Sequence, residues 1–160
     1  MRAVNVAAFP TRAEADLVDA LRAAARPLVS LVAEESGAIV GHIMLSPVTL
    51  PGHPALRLMG LAPMAVTPPR QRGGIGAALV EAGLAACRRL GADAVVVLGH
   101  PAYYPRFGFA PGVRAGLGCE YDVPAEAFMV LALRPGALDG ASGTIRYHGA
   151  FATGEGGRHE

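Results

Sequence analysis

Apolar and polar positions follow a helical period near the start of the chain and a strand period soon after it. Thr11 to Glu14 have the spacing of a capping box, and apolar residues follow on one helical face, which predicts a helix that ends before Pro27. Residues 30–33 and 38–45 have the length and apolar content of strands. The polar turn at Glu35-Ser36-Gly37 predicts that they pair as a hairpin.

The middle of the chain predicts a strand, a helix and a second strand. Residues 56–66 form a long extended run, and Pro63 within it predicts a bulge or a sheet edge because proline cannot donate to a ladder. Residues 92–98 are a continuous apolar run, typical of a strand that is buried on both faces. A helix between them ends at Gly91. Its predicted apolar stripe comprises Ile75, Leu79, Ala82, Ala86 and Leu90.

The last third of the chain predicts shorter elements. An aromatic segment at 103–109 suits a short helix, and residues 113–119 and 127–133 suit two further strands. The Gly-rich stretch at 151–160 predicts a flexible tail. A chain of 160 residues fits one compact domain, which we place at residues 1–150.

Composition and charge argue against nucleic-acid, membrane and metal partners. The chain is 52% hydrophobic and 17% charged, which supplies a core, and its net charge of +1 argues against a nucleic-acid partner. No apolar run is long enough to span a membrane and no secretory signal begins the chain, so we expect a cytoplasmic protein without a membrane partner. Cys87 and Cys119 fit no metal-ligand pattern, so no metal is expected.

Glycines gather at the predicted start of the central helix. Gly73, Gly74 and Gly76 let backbone amides turn toward one point at a helix N-terminus, which favours an anion such as phosphate. No Gly-Lys-Ser/Thr follows, so this is not a Walker loop, and Leu79 occupies the third glycine position of a dinucleotide fingerprint. Taken alone, such a cluster also fits a simple tight turn.

The residues around these glycines carry a family resemblance. Gln71-Arg72-Gly73-Gly74-Ile75-Gly76 resembles the Gln/Arg-x-x-Gly-x-Gly/Ala signature of the GNAT superfamily of acyl-CoA N-acyltransferases, and Met64-Ala65-Val66 resembles the strand end before it. Tyr103 to Phe109 resemble the aromatic block of the same superfamily. Residues 98–104 and 143–148 are similar to a group of poorly characterised bacterial GNAT proteins.

The resemblance implies an α+β fold with a mixed, twisted, mostly antiparallel sheet flanked by helices. The sheet would splay between the strands that end at Val66 and Leu98, with acetyl-CoA in the gap. The pantetheine arm would pair with the backbone of Met64, Ala65 and Val66. The pyrophosphate would bind the loop and helix start at Gln71, Arg72, Gly73, Gly74, Ile75 and Gly76. Arg70 or Arg72 would either contact a CoA phosphate or lie on the solvated surface.

Two residues are candidates for proton transfer. Tyr104 aligns with the tyrosine that GNAT enzymes place near the CoA sulfur, where a phenol can protonate the leaving thiolate; the alternative is a packed aromatic. Many relatives carry a carboxylate before the Gly-rich turn, but residues 61–64 hold none. His100 is therefore the candidate base, or else it caps its turn. Glu34, Glu35, His42 and His148 are weaker candidates.

The sequence thus predicts an N-acetyltransferase that moves an acetyl group from acetyl-CoA to a primary amine. The alternative is a noncatalytic acyl-CoA-binding or sensing domain, which the missing carboxylate keeps open. The acceptor, a small molecule or a peptide, is not identified by any charged cluster. GNAT domains begin with a strand, yet few residues precede the capping box. Either the true start lies upstream or the first strand is missing, and we favour the missing strand. A homodimer is compatible with the resemblance.

Overall fold

The computed structural model describes residues 28–66 and 74–147. The predicted first helix, the expected absence of a strand before it and the predicted tail at 151–160 all lie outside these ranges. So do Gln71, Arg72 and Gly73 of the Gly-rich loop.

Most of the described strands form one mixed sheet. The described strands are β1 Val29–Glu35, β2 Ala38–Val48, β3 Leu58–Val66, β4 Ala94–Leu98, β5 Ala110–Pro111, β6 Leu117–Cys119, β7 Phe128–Ala132 and β8 Gly143–Ile145. β6 and β8 pair as a small parallel sheet of their own. The main sheet has the strand order β1-β2-β3-β4-β7-β5, with β3 parallel to β4 and the other pairs antiparallel. This sheet confirms the predicted α+β class and the hairpin of β1 and β2.

The main sheet separates two apolar layers, because side chains alternate between its faces. On β4, Val95 and Val97 pack with the helix α1, Ile75–Arg89. Ala94, Val96 and Leu98 point the other way, into a cluster that includes residues of β6, β7 and β8. All five residues of β4 are buried, as its apolar sequence predicts. The α1 side and the opposite side are called here the helix face and the far face.

The helix α1 ends where the sequence predicts, but it turns a different side to the sheet. Gly91 has a φ of 83°, a conformation that glycine adopts readily, and it stops the helix one residue after Leu90. The predicted stripe is wrong at Ala82 and Leu90, which are exposed. The buried residues are Leu79, Val80, Gly83, Leu84 and Cys87.

Part of the predicted strand at 113–119 is also corrected. Gly112–Ala115 forms a short 3-10 turn, and the strand begins only at Leu117. Gly116 separates the two with a φ of 76°. This left-handed conformation interrupts an extended backbone, so the strand is limited to the residues that follow it.

Asp93 ties together the starts of β3 and β4 and the end of β7. One carboxylate oxygen accepts the Arg57 backbone N–H at 2.8 Å, and the other accepts Arg134 Nε at 2.9 Å. The Asp93 carbonyl accepts the Leu133 N–H at 2.9 Å. The Arg57 hydrogen bond and the Arg134 guanidinium together hold the pKa of this carboxyl below its ordinary value of 3.8, against the opposing effect of burial.

Asp93→Asn is expected to lower the free energy of unfolding at pH 7 by about 1–3 kcal/mol, since a charged acceptor is lost. Because the folded-state pKa is depressed, the carboxylate stabilises the fold above about pH 4. That stabilisation is lost as the pH falls through the folded-state value. Urea unfolding at pH 7 and pH 3 should therefore show a gap between parent and variant that narrows in acid. Asp139→Asn, at an exposed position, should show no gap at either pH.

Candidate functional site

The main sheet opens between β3 and β4. The two strands pair from Leu58 with Ala94 as far as Leu61 with Val97. β3 then continues to Val66, still paired with β2, whereas β4 ends at Leu98. Beyond Leu61, the β4 side of β3 at residues 62–65 therefore extends past the last residue pair that it forms with β4. This geometry confirms the splay that the family resemblance implies.

A bulge in β3 accompanies the splay. Ile43 of β2 pairs with Met64 and Leu45 pairs with Leu61, so Ala62 and Pro63 together stand opposite a single β2 residue. Such a bulge bends its strand and increases the local twist. The bulge predicted at Pro63 is confirmed. It turns the end of β3 away from β4 where the gap begins.

The helix α1 points its N-terminus at this gap. Gly74 precedes the helix with a φ of 87°, a conformation that favours glycine, and its carbonyl accepts the Ala78 N–H at 3.0 Å. The amides of Ile75 and Gly76 precede the first intrahelical hydrogen bonds. The first turn contains no acidic residue. These amides and the helix dipole suit an anion.

Three elements converge at Gly76. A Cβ placed on this glycine would lie 3.5 Å from the Tyr103 hydroxyl and 3.7 Å from Met64 Cε. The end of β3, the first turn of α1 and the aromatic segment thus meet at one place on the helix face, which is called here the groove at Gly76. The sequence predicts Met64 and Gly76 as members of this site. Tyr103 is not among the site residues that the sequence predicts, so its hydroxyl is an addition from the structure.

Arg106, three residues later in the same turn, makes two contacts with Tyr103. Arg106 Nε donates to the Tyr103 carbonyl at 2.8 Å, and the guanidinium lies 4.3 Å from the centre of the Tyr103 ring. This is a cation–π contact on top of a hydrogen bond. Burial raises the pKa of the Tyr103 phenol, and the Arg106 charge partly offsets that effect. The hydroxyl is therefore protonated at neutral pH and can donate a hydrogen bond.

Tyr104 lies in the aromatic cluster behind the groove. The short 3-10 turn Tyr104–Phe107 carries it, and the side chain is 4% exposed. Its ring meets those of Tyr103 and Phe109 edge to face, with centroids 5.0 and 5.7 Å away. This packing holds the ring in one orientation. Tyr104 belongs to the helix-face cluster, against which Met64 and Tyr103 also pack.

His100 follows the end of β4 and begins the turn that leads to Tyr104. Its carbonyl accepts the Tyr103 N–H at 3.0 Å and the Tyr104 N–H at 3.4 Å. The residue is exposed. It borders an open cavity of about 250 Å³, lined by Leu98, Gly99, His100, Pro101, Val123, Pro124 and Ala127. The last three come from the loop before β7, and the sequence does not predict them as part of the site.

The weaker base candidates lie elsewhere. Glu34 and Glu35 are exposed at the β1–β2 hairpin. His42 is fully buried on β2, with Nε2 3.2 Å from the Ser30 hydroxyl. His148 lies outside the described ranges. Within those ranges, no group of three or more His, Cys, Asp or Glu residues could hold a metal ion, and no helix is long and apolar enough to cross a membrane.

A larger cavity, of about 320 Å³, lies at the other end of β3 beside Leu58 and the exposed Leu90. Its lining is mainly apolar and it contains none of the candidate residues. Volume alone therefore does not mark the site. Met64, Gly76 and Tyr103 lie instead at the groove at Gly76, and His100 lies at the smaller cavity.

Known proteins share this architecture and sequence. Residues 2–109, more than half of the chain, match the model of the Acetyltransferase (GNAT) family. The chain is 38% identical over 144 residues to the protein named Uncharacterized N-acetyltransferase YhbS of Escherichia coli strain K12, covering 89% of this chain and 86% of that protein.

Two solved structures extend the similarity to the fold. The crystal structure of YhbS from Escherichia coli in complex with CoA has a TM-score of 0.88 and 36% identity, covering 94% of this chain and 84% of that one. A GNAT family acetyltransferase from Brucella melitensis in complex with acetyl-CoA has a TM-score of 0.74 and 40% identity, covering 94% and 88%. The chain therefore belongs to the GNAT family of acetyltransferases, acyltransferases that depend on acetyl-CoA.

Proposed function

We propose that this protein transfers the acetyl group of acetyl-CoA to a primary amine by direct attack in a ternary complex. The observation that carries the proposal is the groove at Gly76, where the part of β3 beyond its pairing with β4, a helix N-terminus and a tyrosine hydroxyl meet. Two similar proteins crystallise with CoA and acetyl-CoA, which supports the same ligand here.

Each part of the groove suits one part of acetyl-CoA. The amides at Gly74, Ile75 and Gly76, together with Gln71, Arg72 and Gly73 of the preceding loop, would hold the pyrophosphate. The β3 edge at Met64, Ala65 and Val66 would pair with the pantetheine arm as an added strand. Because this edge lies along the gap, the arm would direct the thioester toward the end of β4.

The reaction joins a nitrogen to the acetyl carbon and breaks the carbon–sulfur bond. His100 would take a proton from the acceptor ammonium, and the free amine would attack the carbonyl to give a tetrahedral oxyanion. A backbone N–H near Met64 would stabilise that charge. As the intermediate collapses, Tyr104 would protonate the departing thiolate, and the proton lost by nitrogen would restore the phenol through solvent. Holding both reactants in place supplies about 7–11 kcal/mol.

The test is turnover with a panel of amines. We expect free CoA thiol to appear above background together with an N-acetylated product of matching mass. The second candidate, a noncatalytic acyl-CoA-binding domain, rests on the absence of a carboxylate from β3 beside the gap. It predicts acetyl-CoA binding with no product from any amine. Binding and turnover measured on the same preparation separate the two.

His100→Gln is expected to lower kcat/KM by about tenfold at pH 7. The effect is moderate because the residue is exposed, so water can replace it as proton acceptor. The difference in kcat/KM between parent and variant should shrink as the pH approaches the pKa of the amine, because less of the acceptor is then protonated. A pH profile of kcat/KM for parent and variant checks this. His53→Gln, in a distant turn, is the matched control.

A further inference from the structure

The cavity beside His100 differs in position from the groove at Gly76. Leu98, the first β4 residue beyond the pairing with β3, lines the cavity and packs with the far-face cluster. Val123, on the cavity's other wall, packs against the same cluster. The side chains at the groove, those of Met64 and Tyr103, pack with the helix-face cluster. The cavity and the groove therefore approach the gap from different sides.

The lining of the cavity is apolar except at one residue. Leu98, Pro101, Val123, Pro124 and Ala127 contribute hydrocarbon surface, and His100 contributes an imidazole. Neither a carboxylate nor a guanidinium lines it. A volume of about 250 Å³ equals the liquid volume of about eight water molecules. Such a space suits a compact apolar group, and its interior gives a sugar or the further ammonium groups of a polycation no charged partner.

The loop beside the cavity carries charge of one sign. Residues 119–131 contain Glu120, Asp122 and Glu126 and no arginine. Glu120 accepts the Tyr147 N–H at 2.8 Å and lies 3.9 Å from Arg146. Asp122 and Glu126 are exposed, on either side of the lining residues Val123 and Pro124. A negative border of this kind attracts a cation toward an apolar cavity.

We propose that this cavity is the acceptor pocket and that it takes a small monoamine: one ammonium group on a compact apolar substituent of about eight to ten non-hydrogen atoms. The inference rests on the proposed acetyl transfer for its role and on the cavity for its chemistry. The apolar substituent would lie against Val123 and Ala127. The amine would then lie near His100, at the end of β4 where the gap begins.

Direct binding tests the pocket independently of turnover. We expect 2-phenylethylamine to bind the CoA-saturated protein in isothermal titration at least tenfold more tightly than ethanolamine or spermidine. Val123→Phe should weaken that binding at least tenfold because it fills the cavity. Val32→Phe, at a 41% exposed position on β1, adds the same bulk elsewhere and should leave it unchanged. Thermal unfolding of both variants verifies that they are folded.

A double variant and a matched control test the role of the negative charge at the border of the cavity. Asp122→Asn with Glu126→Gln should weaken 2-phenylethylamine binding several-fold at low salt. The control, Asp139→Asn with Glu81→Gln, removes the same charge from other exposed positions and should leave the binding unchanged. Tighter binding of spermidine, or unaltered binding by folded Val123→Phe, would overturn the inference. Binding of 2-phenylethylamine with no acetylation of any amine would support the pocket but overturn the transferase function.

Discussion

Replacing Tyr104 by phenylalanine is expected to lower kcat for acetyl transfer by about 100- to 1,000-fold. The substitution removes the phenol that would protonate the CoA thiolate. It retains the ring, whose edge contacts with Tyr103 and Phe109 hold the turn together. The dissociation constant for acetyl-CoA should therefore stay within about twofold of the parent value. Steady-state thiol release and isothermal titration measure the two quantities.

Tyr103→Phe is the matched control, because it removes a hydroxyl one residue earlier in the same turn. That hydroxyl lies at the groove beside Gly76, so its loss should raise KM for acetyl-CoA several-fold and change kcat by less than about threefold. The two variants should therefore differ in opposite ways. Tyr104→Phe should lower kcat with little change in acetyl-CoA binding, and Tyr103→Phe should raise KM for acetyl-CoA with little change in kcat. If the large fall in kcat belonged to Tyr103→Phe, the acid would be Tyr103; full turnover by Tyr104→Phe would remove Tyr104 from the mechanism.

Local signals in the sequence predict the features that a single segment determines. Gly74 and Gly91 mark the two ends of α1 because each has a positive φ that other residues avoid. Pro63 marks the bulge because it cannot join a ladder. The five apolar residues of β4 predict burial on both faces, which the structure confirms. In each case the residue type restricts the backbone directly, so no knowledge of distant contacts is needed.

Local signals do not predict which side of α1 is buried, because the helix is apolar on nearly all sides. A stripe through Ala82 and Leu90 fits a helical period as well as one through Gly83 and Cys87 does. The sheet decides between them. A Cβ on Gly83 would lie 2.8 Å from Leu45 Cδ1, so a glycine on that side lets the helix approach the sheet closely. Periodicity alone does not contain this information.

The proposed acceptor cavity depends on contacts between distant segments. Val123 and Ala127 reach His100 because β7 pairs antiparallel with β4, and the Gly99 N–H donates to the Ala127 carbonyl at 3.0 Å. No spacing within either segment predicts this pairing. The splay between β3 and β4 also cannot be predicted from one segment. The family resemblance implies it, whereas the residues of β3 alone predict only a bulge. Motifs predict the proposed coenzyme groove, whereas the proposed acceptor side also depends on the topology.

Gly76→Val is expected to raise the dissociation constant for acetyl-CoA by about 100-fold, equal to about 2.7 kcal/mol. A Cβ at this position already lies 3.5 Å from the Tyr103 hydroxyl and 3.7 Å from Met64 Cε. The two γ-methyls of valine would fill the space between the helix and the aromatic turn, through which the pantetheine arm would pass in the proposed complex. The fold should survive, because both neighbours are side-chain ends that can shift and valine suits a helix better than glycine.

Ligand-induced stabilisation measures this effect against Ala78→Val, which adds a β-branched side chain at an exposed position two residues along α1. Acetyl-CoA at 100 times the parent dissociation constant should stabilise the parent and Ala78→Val by about 2.7 kcal/mol. The same concentration only matches the dissociation constant expected for Gly76→Val, so its stabilisation should fall to about 0.4 kcal/mol. Equal stabilisation of all three proteins would mean that the pantetheine arm does not pass beside Gly76, which would contradict the proposed path of acetyl-CoA along the end of β3.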